Sequence, residues 1–176
     1  MPQTQSYGES VSSDRFSETQ LDRERARLIK NVTKDAARSL GLHLSKNTPA
    51  EIVAAVDETI TKVVFGKRVS IPKKEERHLL LGCLWGAQLV RELNWEWCEI
   101  HFDDGLDVAL VSPARDMVIF PFTFINSCLE KQVVCTVELS FNILIERTPE
   151  YDTGSYLNLM DYVHHIVPPY TLERET

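Results

Sequence analysis

The chain has 176 residues, 19 basic and 26 acidic side chains for a formal net charge of -7, and a composition that is 43% hydrophobic and 26% charged. That length fits one ordinary domain able to bury roughly two-thirds of its unfolded surface without a disulfide or metal staple, and the composition excludes a wholly disordered or collagen-like chain. The acidic balance and a pI near 5.2 weigh against sequence-independent nucleic-acid binding, which draws its affinity from Lys and Arg set against phosphates, and favour solubility or a basic protein partner.

The first residues, MPQTQSYGESVSSDRFSETQ, lack the basic and apolar regions of a secretory signal. No stretch approaches the ~18 to 20 uninterrupted apolar residues of a membrane span, so a cytoplasmic location is expected. Residues 1–17 are poor in large aliphatics and read as a disordered tail. Residues 18–170 read as a single α+β domain and 171–176 as a polar tail. From Glu18 a helical pattern is predicted, with Leu21, Arg25, Leu28, Ile29, Val32, Ala36 and Leu40 at three- and four-residue steps and Gly41 as its stop.

A second helix is announced by Thr48 as N-cap, Pro49 at the first helical position and Glu51 completing a capping box. Ile52, Val53, Val56, Ile60, Val63 and Val64 form its apolar stripe, and Gly66 ends it. Lys67, Arg68, Lys73 and Lys74 come closest to a basic patch, but Glu75 and Glu76 follow at once, and the segment reads as a solvated loop and helix start. The third helix follows Ile71-Pro72, and its long apolar centre, Leu79 to Val90, predicts burial on most sides.

Alternation then replaces helical spacing. In WEWCEIHF, Cys98, Ile100 and Phe102 share one face and Trp97, Glu99 and His101 the other. Asp103-Asp104-Gly105 signals a tight turn, Leu106, Val108 and Leu110 continue a second strand, and a turn at Ser112-Pro113-Ala114-Arg115-Asp116 leads into MVIF. These strands predict a central antiparallel meander, three- to four-stranded, packed on the long buried helix. Pro121 closes the third strand and residues 123–132 read as a short helix. The stretch Val133 to Arg147 fits both periods: its alternation favours a strand at the start, while Thr136, Val137, Phe141, Leu144 and Ile145 fit a capped helix toward the end. Further helix or strand elements follow in LNLMDYVHHIVPPY.

Cys83, between Gly82 and Trp85-Gly86, invites a nucleophile reading, yet it should lie about two turns inside a helix, away from the free amides that lower a thiol pKa. Cys98, Cys128 and Cys135 also sit in apolar runs without CxxC spacing. Gly82 and Gly86 each cost about 1 kcal/mol in a helix interior, so a second element is expected to approach the helix closely there. Trp85 is assigned to the core, and Trp95, Trp97, Pro113 and Pro121 also read as structural. His43, His78, His101, His164 and His165 show no helical metal-ligand spacing. HFDDGLD, with Asp103, Asp104 and Asp107, lacks the full pattern of a calcium loop. No hydrolase elbow, phosphate loop or dinucleotide fingerprint is present, and no cofactor is implied.

Trp85-Gly86, Leu89, Asn94-Trp95-Glu96-Trp97, Val111-Ser112-Pro113, Phe120-Pro121 and Phe124-Ile125 follow one another in an order that resembles a bacterial family, domain of unknown function 3806, over residues 75–160. The resemblance implies a helix followed by an antiparallel sheet and further helices, with no catalytic residues to transfer. A looser similarity extends to immunity proteins of bacterial toxin systems, which bind and block one cognate toxin. The leading expectation is therefore a non-enzymatic cytoplasmic protein-binding domain, an immunity protein for a basic toxin domain, without nucleic-acid or membrane partners. Its contact set would be Glu96, Glu99, Asp103, Asp104 and Asp107 around the first hairpin. The alternatives are a metal-dependent or enzymatic domain with His101, His164, His165 and the acidic hairpin converging, and a structural homo-oligomer paired through its N-terminal helix.

Overall fold

A computed structural model describes residues 16–71, 73–131, 135–146 and 151–167. The fold is α+β, with six helices and a five-stranded mixed sheet among the described residues. Chain order is β1 (Phe16–Gln20), α1 (Arg23–Ser39), α2 (Pro49–Val64), a short 3-10 turn at Lys74–Glu76, α3 (Arg77–Leu93), β2 (Glu96–Phe102), β3 (Gly105–Val111), β4 (Met117–Ile119), α4 (Pro121–Lys131), α5 (Val137–Glu146), β5 (Leu157–Asn158) and α6 (Leu159–Ile166). Among the described residues no helix is long and apolar enough to cross a membrane.

Local signals set the helix ends. The Asp22 side chain accepts from the Arg25 amide at 2.7 Å and starts α1. Gly41, at φ 69°, ends it with Leu42 N bonded to Ala37 O and Gly41 N to Arg38 O, a paired closure that needs the left-handed conformation glycine adopts freely. The predicted capping box is present: the Thr48 amide donates to Glu51 at 2.8 Å and the Glu51 amide to Thr48 Oγ1 at 3.3 Å. Helix α3 ends on Asn94, at φ 56°, the non-glycine residue best suited to that region.

The meander is extended at both edges. β2 pairs β3 from Glu96↔Val111 to Phe102↔Gly105, and β3 pairs β4 through Leu110↔Ile119. β1 adds antiparallel to β2, and β5 adds parallel to β4. Helix α3 lies on the sheet and is flanked by α1, α2 and α4, with α5 against α2. Trp85, Leu89, Leu110, Met117 and Ile119 belong to this main core. Cys98, Ile100, Ala109, Val111 and Val118 form a second buried cluster on the other sheet face, packed by Phe16, Phe102, Phe120 and Tyr156.

Several expectations need correction. Phe16–Gln20 is a strand and the first helix begins at Arg23, not Glu18; the ladder to β2 overrides a helical pattern that only begins to bury side chains beyond Leu28, itself 60% exposed. The short helix begins at Pro121 rather than Thr123. Residues 137–146 are helical throughout, with Val137, Ser140, Phe141 and Leu144 buried at helical spacing. An Asp57 carboxylate on α2 accepts from the Glu138 amide at 2.9 Å and supplies a start from another element. His164 and His165 lie on α6, in the segment for which helix and strand were both open. The tail expected at 1–17, apart from Phe16 and Ser17, the polar tail at 171–176, Pro72, residues 132–134, 147–150 and 168–170 lie outside the described residues.

Candidate functional site

The five acidic residues grouped by sequence around the first hairpin do not share one surface. Asp103 and Asp104 form the two-residue turn between Phe102 and Gly105 and are exposed. Neither makes an ion pair or side-chain hydrogen bond among the described residues. Leu106, beside them, is 49% exposed. Asp107 is half-buried and occupied, accepting from Thr123 Oγ1 of α4 at 2.6 Å and from the Val108 amide at 2.8 Å. Glu96 is exposed but accepts from Arg115 Nη2 at 2.6 Å. Glu99 is 8% exposed and ion-paired with Arg25 of α1, so it is withdrawn from any open contact surface.

Two polar clusters bracket β1, and neither is visible in local sequence. On one sheet face Glu18 receives Arg115 Nη2 at 2.9 Å and the Tyr156 hydroxyl at 2.6 Å. Arg115 and Tyr156 both have positive φ, 54° and 47°, and Tyr156 N bonds to Arg115 O at 3.0 Å. Left-handed backbone is uncommon outside glycine and costs on the order of 1 kcal/mol or more, so strain is concentrated where these side chains meet. The hydrogen bond to Glu18, then that to Glu96, raises the Arg115 pKa. Burial first, then Glu18, pushes the Tyr156 phenol up to about 12, which keeps it a donor and makes it a poor base. This polar group sits beside Cys98, whose thiol is pushed up to about 12 by burial and then by Glu18.

On the opposite face Thr19 Oγ1 lies 2.9 Å from His101 Nε2, the spacing of a nucleophile and its base. Glu99 Oε2 approaches the same Nε2 at 3.4 Å. A nucleophile–base–acid relay needs hydroxyl and carboxylate on opposite ring nitrogens. Here both compete for one, and the arrangement ties β1 to β2 and, through Arg25, to α1.

Cys83 is 3% exposed and its thiol is pushed up to about 12 by burial, the reverse of an activated nucleophile. Trp85 is fully buried against Phe124, and Trp95 is 4% exposed. Pro121 is buried at the start of α4, and Pro113 is exposed in the β3–β4 turn. A groove of about 370 Å³ opens between Leu21, Ala26 and Ile29 on one side and Val90, Trp95 and Trp97 on the other, with Gln20 and Glu96 contributing polar atoms.

The histidines do not gather. His101 contacts Thr19 and Glu99, whereas His164 lies against Phe124 with its pKa lowered by burial. Among the described residues no three His, Cys, Asp or Glu side chains are grouped to hold a metal ion. No protein-family model matches the chain, and no curated protein or solved structure matches it.

Proposed function

We propose that this is a non-enzymatic, cytoplasmic protein-binding domain whose β2–β3 hairpin end docks a basic partner. The observation that carries the reading is the pair Asp103 and Asp104, exposed at a two-residue turn, unpaired among the described residues and adjacent to the exposed Leu106. An acidic tip unpaired among the described residues, at the end of a seven-pair antiparallel ladder, steers a basic partner electrostatically, and the neighbouring leucine adds apolar contact. The arrangement around His101, with hydroxyl and carboxylate on one nitrogen, favours a structural over a catalytic role for the best candidate pair.

The resemblance to family 3806 and to immunity proteins supplies the form of partner: a basic toxin domain blocked by direct binding. Coexpression with the product of the neighbouring gene, where that product is toxic, tests this. The wild-type chain restores growth, and the double variant Asp103→Lys/Asp104→Lys, still folded by circular dichroism, loses the rescue. A pull-down that recovers no neighbouring product, together with absent rescue by the wild type, overturns the proposal.

A further inference from the structure

Helix α1 carries a feature that the net charge conceals. Arg23, Arg27, Lys30, Lys34 and Arg38 are all exposed. Their spacing of four, three, four and four residues puts them within an arc of about 80° on a helical wheel, along roughly 22 Å of the axis. The buried residues of this helix, Thr33, Ala36 and Ala37, pack toward α3 and leave the basic stripe uncovered by described residues. Of the five, only Arg38 has a salt bridge among the described residues, to Asp35 at 2.8 Å. With these five cations set aside, the remaining 14 basic side chains face 26 acidic ones, a formal charge of -12.

That contrast decides what the stripe fits. A nucleic-acid duplex or a lipid surface is wider than one helix and brings its charges against the acidic remainder of the molecule, where they are repelled. Glu24 and Asp35 border the stripe on the same helix, and Leu28, exposed at 60%, lies beyond them rather than among the cations, so the stripe lacks an apolar wedge for a bilayer. A second copy of α1 on this face would set cation against cation. A narrow anionic occupant touches only the stripe. We propose that the exposed face of α1 is a docking rail for an acidic polypeptide segment, helical or extended, with Asp or Glu recurring every three to four residues. The rail lies on a different element from the Asp103–Asp104 tip and does not depend on that reading of the hairpin.

The test is fluorescence anisotropy of the full chain with a labelled synthetic helical peptide of about 18 residues bearing glutamate at every third or fourth position. The peptide binds, its glutamine counterpart does not, and binding weakens steeply as salt shortens the screening length from about 10 Å at 0.1 M to about 3 Å at 1 M. Lys30→Glu/Lys34→Glu weakens binding at least roughly tenfold, and the milder Lys30→Gln/Lys34→Gln weakens it less. Asp103→Lys/Asp104→Lys leaves peptide binding in place, which separates this surface from the hairpin. The proposal is overturned if the glutamate peptide does not bind. It is equally overturned if charge reversal of the stripe leaves binding intact, or if duplex DNA or phosphatidylserine vesicles bind the stripe more tightly than the peptide.

Discussion

Trp97 and Phe122 stack with ring centroids 5.7 Å apart and planes 15° from parallel, and the space they occupy against α3 is the space that Gly86 and Gly82 leave. A Cβ at Gly86 would lie 2.6 Å from both Trp97 Cη2 and Leu110 Cδ1, and one at Gly82 would lie 2.5 Å from Phe122 Cδ1. The two glycines thus join sheet and helix layer through a single aromatic pair.

Substitution at these glycines reads that contact directly. Alanine gains about 1 kcal/mol of helix propensity, so any net loss measures the clash. Gly86→Ala is expected to destabilise by about 1 kcal/mol and Gly86→Leu by about 3 kcal/mol in urea denaturation. Gly82→Ala should be milder, because the single half-buried Phe122 ring can swing aside. Trp97→Leu combined with Gly86→Ala should destabilise less than the sum of the two changes. A urea midpoint raised by the full helix-propensity gain of about 1 kcal/mol for Gly86→Ala would refute the close approach.

Burial of the thiols sets an alkaline limit. Cys83 and Cys98 rise from an ordinary thiol value of 9.0 to about 12 in the folded chain. Their neutral forms are favoured by folding, so this contribution is complete below pH 9 and is lost as pH climbs from about 9 toward 12. Urea midpoints should decline over that window and decline less in Cys83→Ala and Cys98→Ala. In the native state at pH 8 neither thiol should react appreciably with iodoacetamide by mass spectrometry, whereas the unfolded chain reacts fully. Rapid native labelling of Cys83 would reopen the nucleophile reading. Cys83→Ser should leave partner binding intact at a modest stability loss.

Arg115 holds β1 from the β3–β4 turn, through Glu18. Arg115→Ala removes the pairing while retaining a strained backbone and should cost about 1–3 kcal/mol. Arg115→Gly removes the same side chain but relieves the positive φ, recovering about 0.5–1 kcal/mol of that loss. Amide exchange in Phe16–Gln20 should accelerate in both variants more than exchange in β3. Equal stability of the alanine and glycine variants would refute backbone strain at this turn.

The hairpin end should be functionally sensitive and structurally indifferent. Asp103 and Asp104 are exposed and without side-chain partners among the described residues. Asp103→Lys/Asp104→Lys should therefore shift unfolding by no more than about 0.5 kcal/mol while reducing binding to a basic partner. By contrast Asp107→Ala, which frees Thr123, should destabilise measurably. Similar thermal shifts for the two variants would contradict the division of the acidic set.

The acidic set shows where residue patterns stop being informative. Period two correctly separates Glu96 from Glu99 across the sheet, but not which face the helices cover; Arg25 and Arg115 decide that from other elements. The basic stripe of α1 was legible, since five cations at helical spacing need only a wheel to be seen. A net charge of -7 masks it when charge is summed over the whole chain.

What the sequence determined by itself was local: the Thr48–Glu51 box, the glycine stops at Gly41 and Gly66, the Asp103–Asp104 turn, and the close approach at Gly82 and Gly86. The caps, stops and turn depend on partners a few residues away or on a backbone preference, and such signals act before the chain folds; the glycine pair marked where α3 would be approached, but the fold supplied Trp97, Leu110 and Phe122 to fill the space. Tertiary structure alone decided β1, β5 and the helical state of residues 137–146. Glu18 finds its partners 97 and 138 residues away, and the Glu138 amide finds Asp57 across 81. Where local preference is balanced between strand and helix, a single distant hydrogen bond and the burial it accompanies are sufficient to choose.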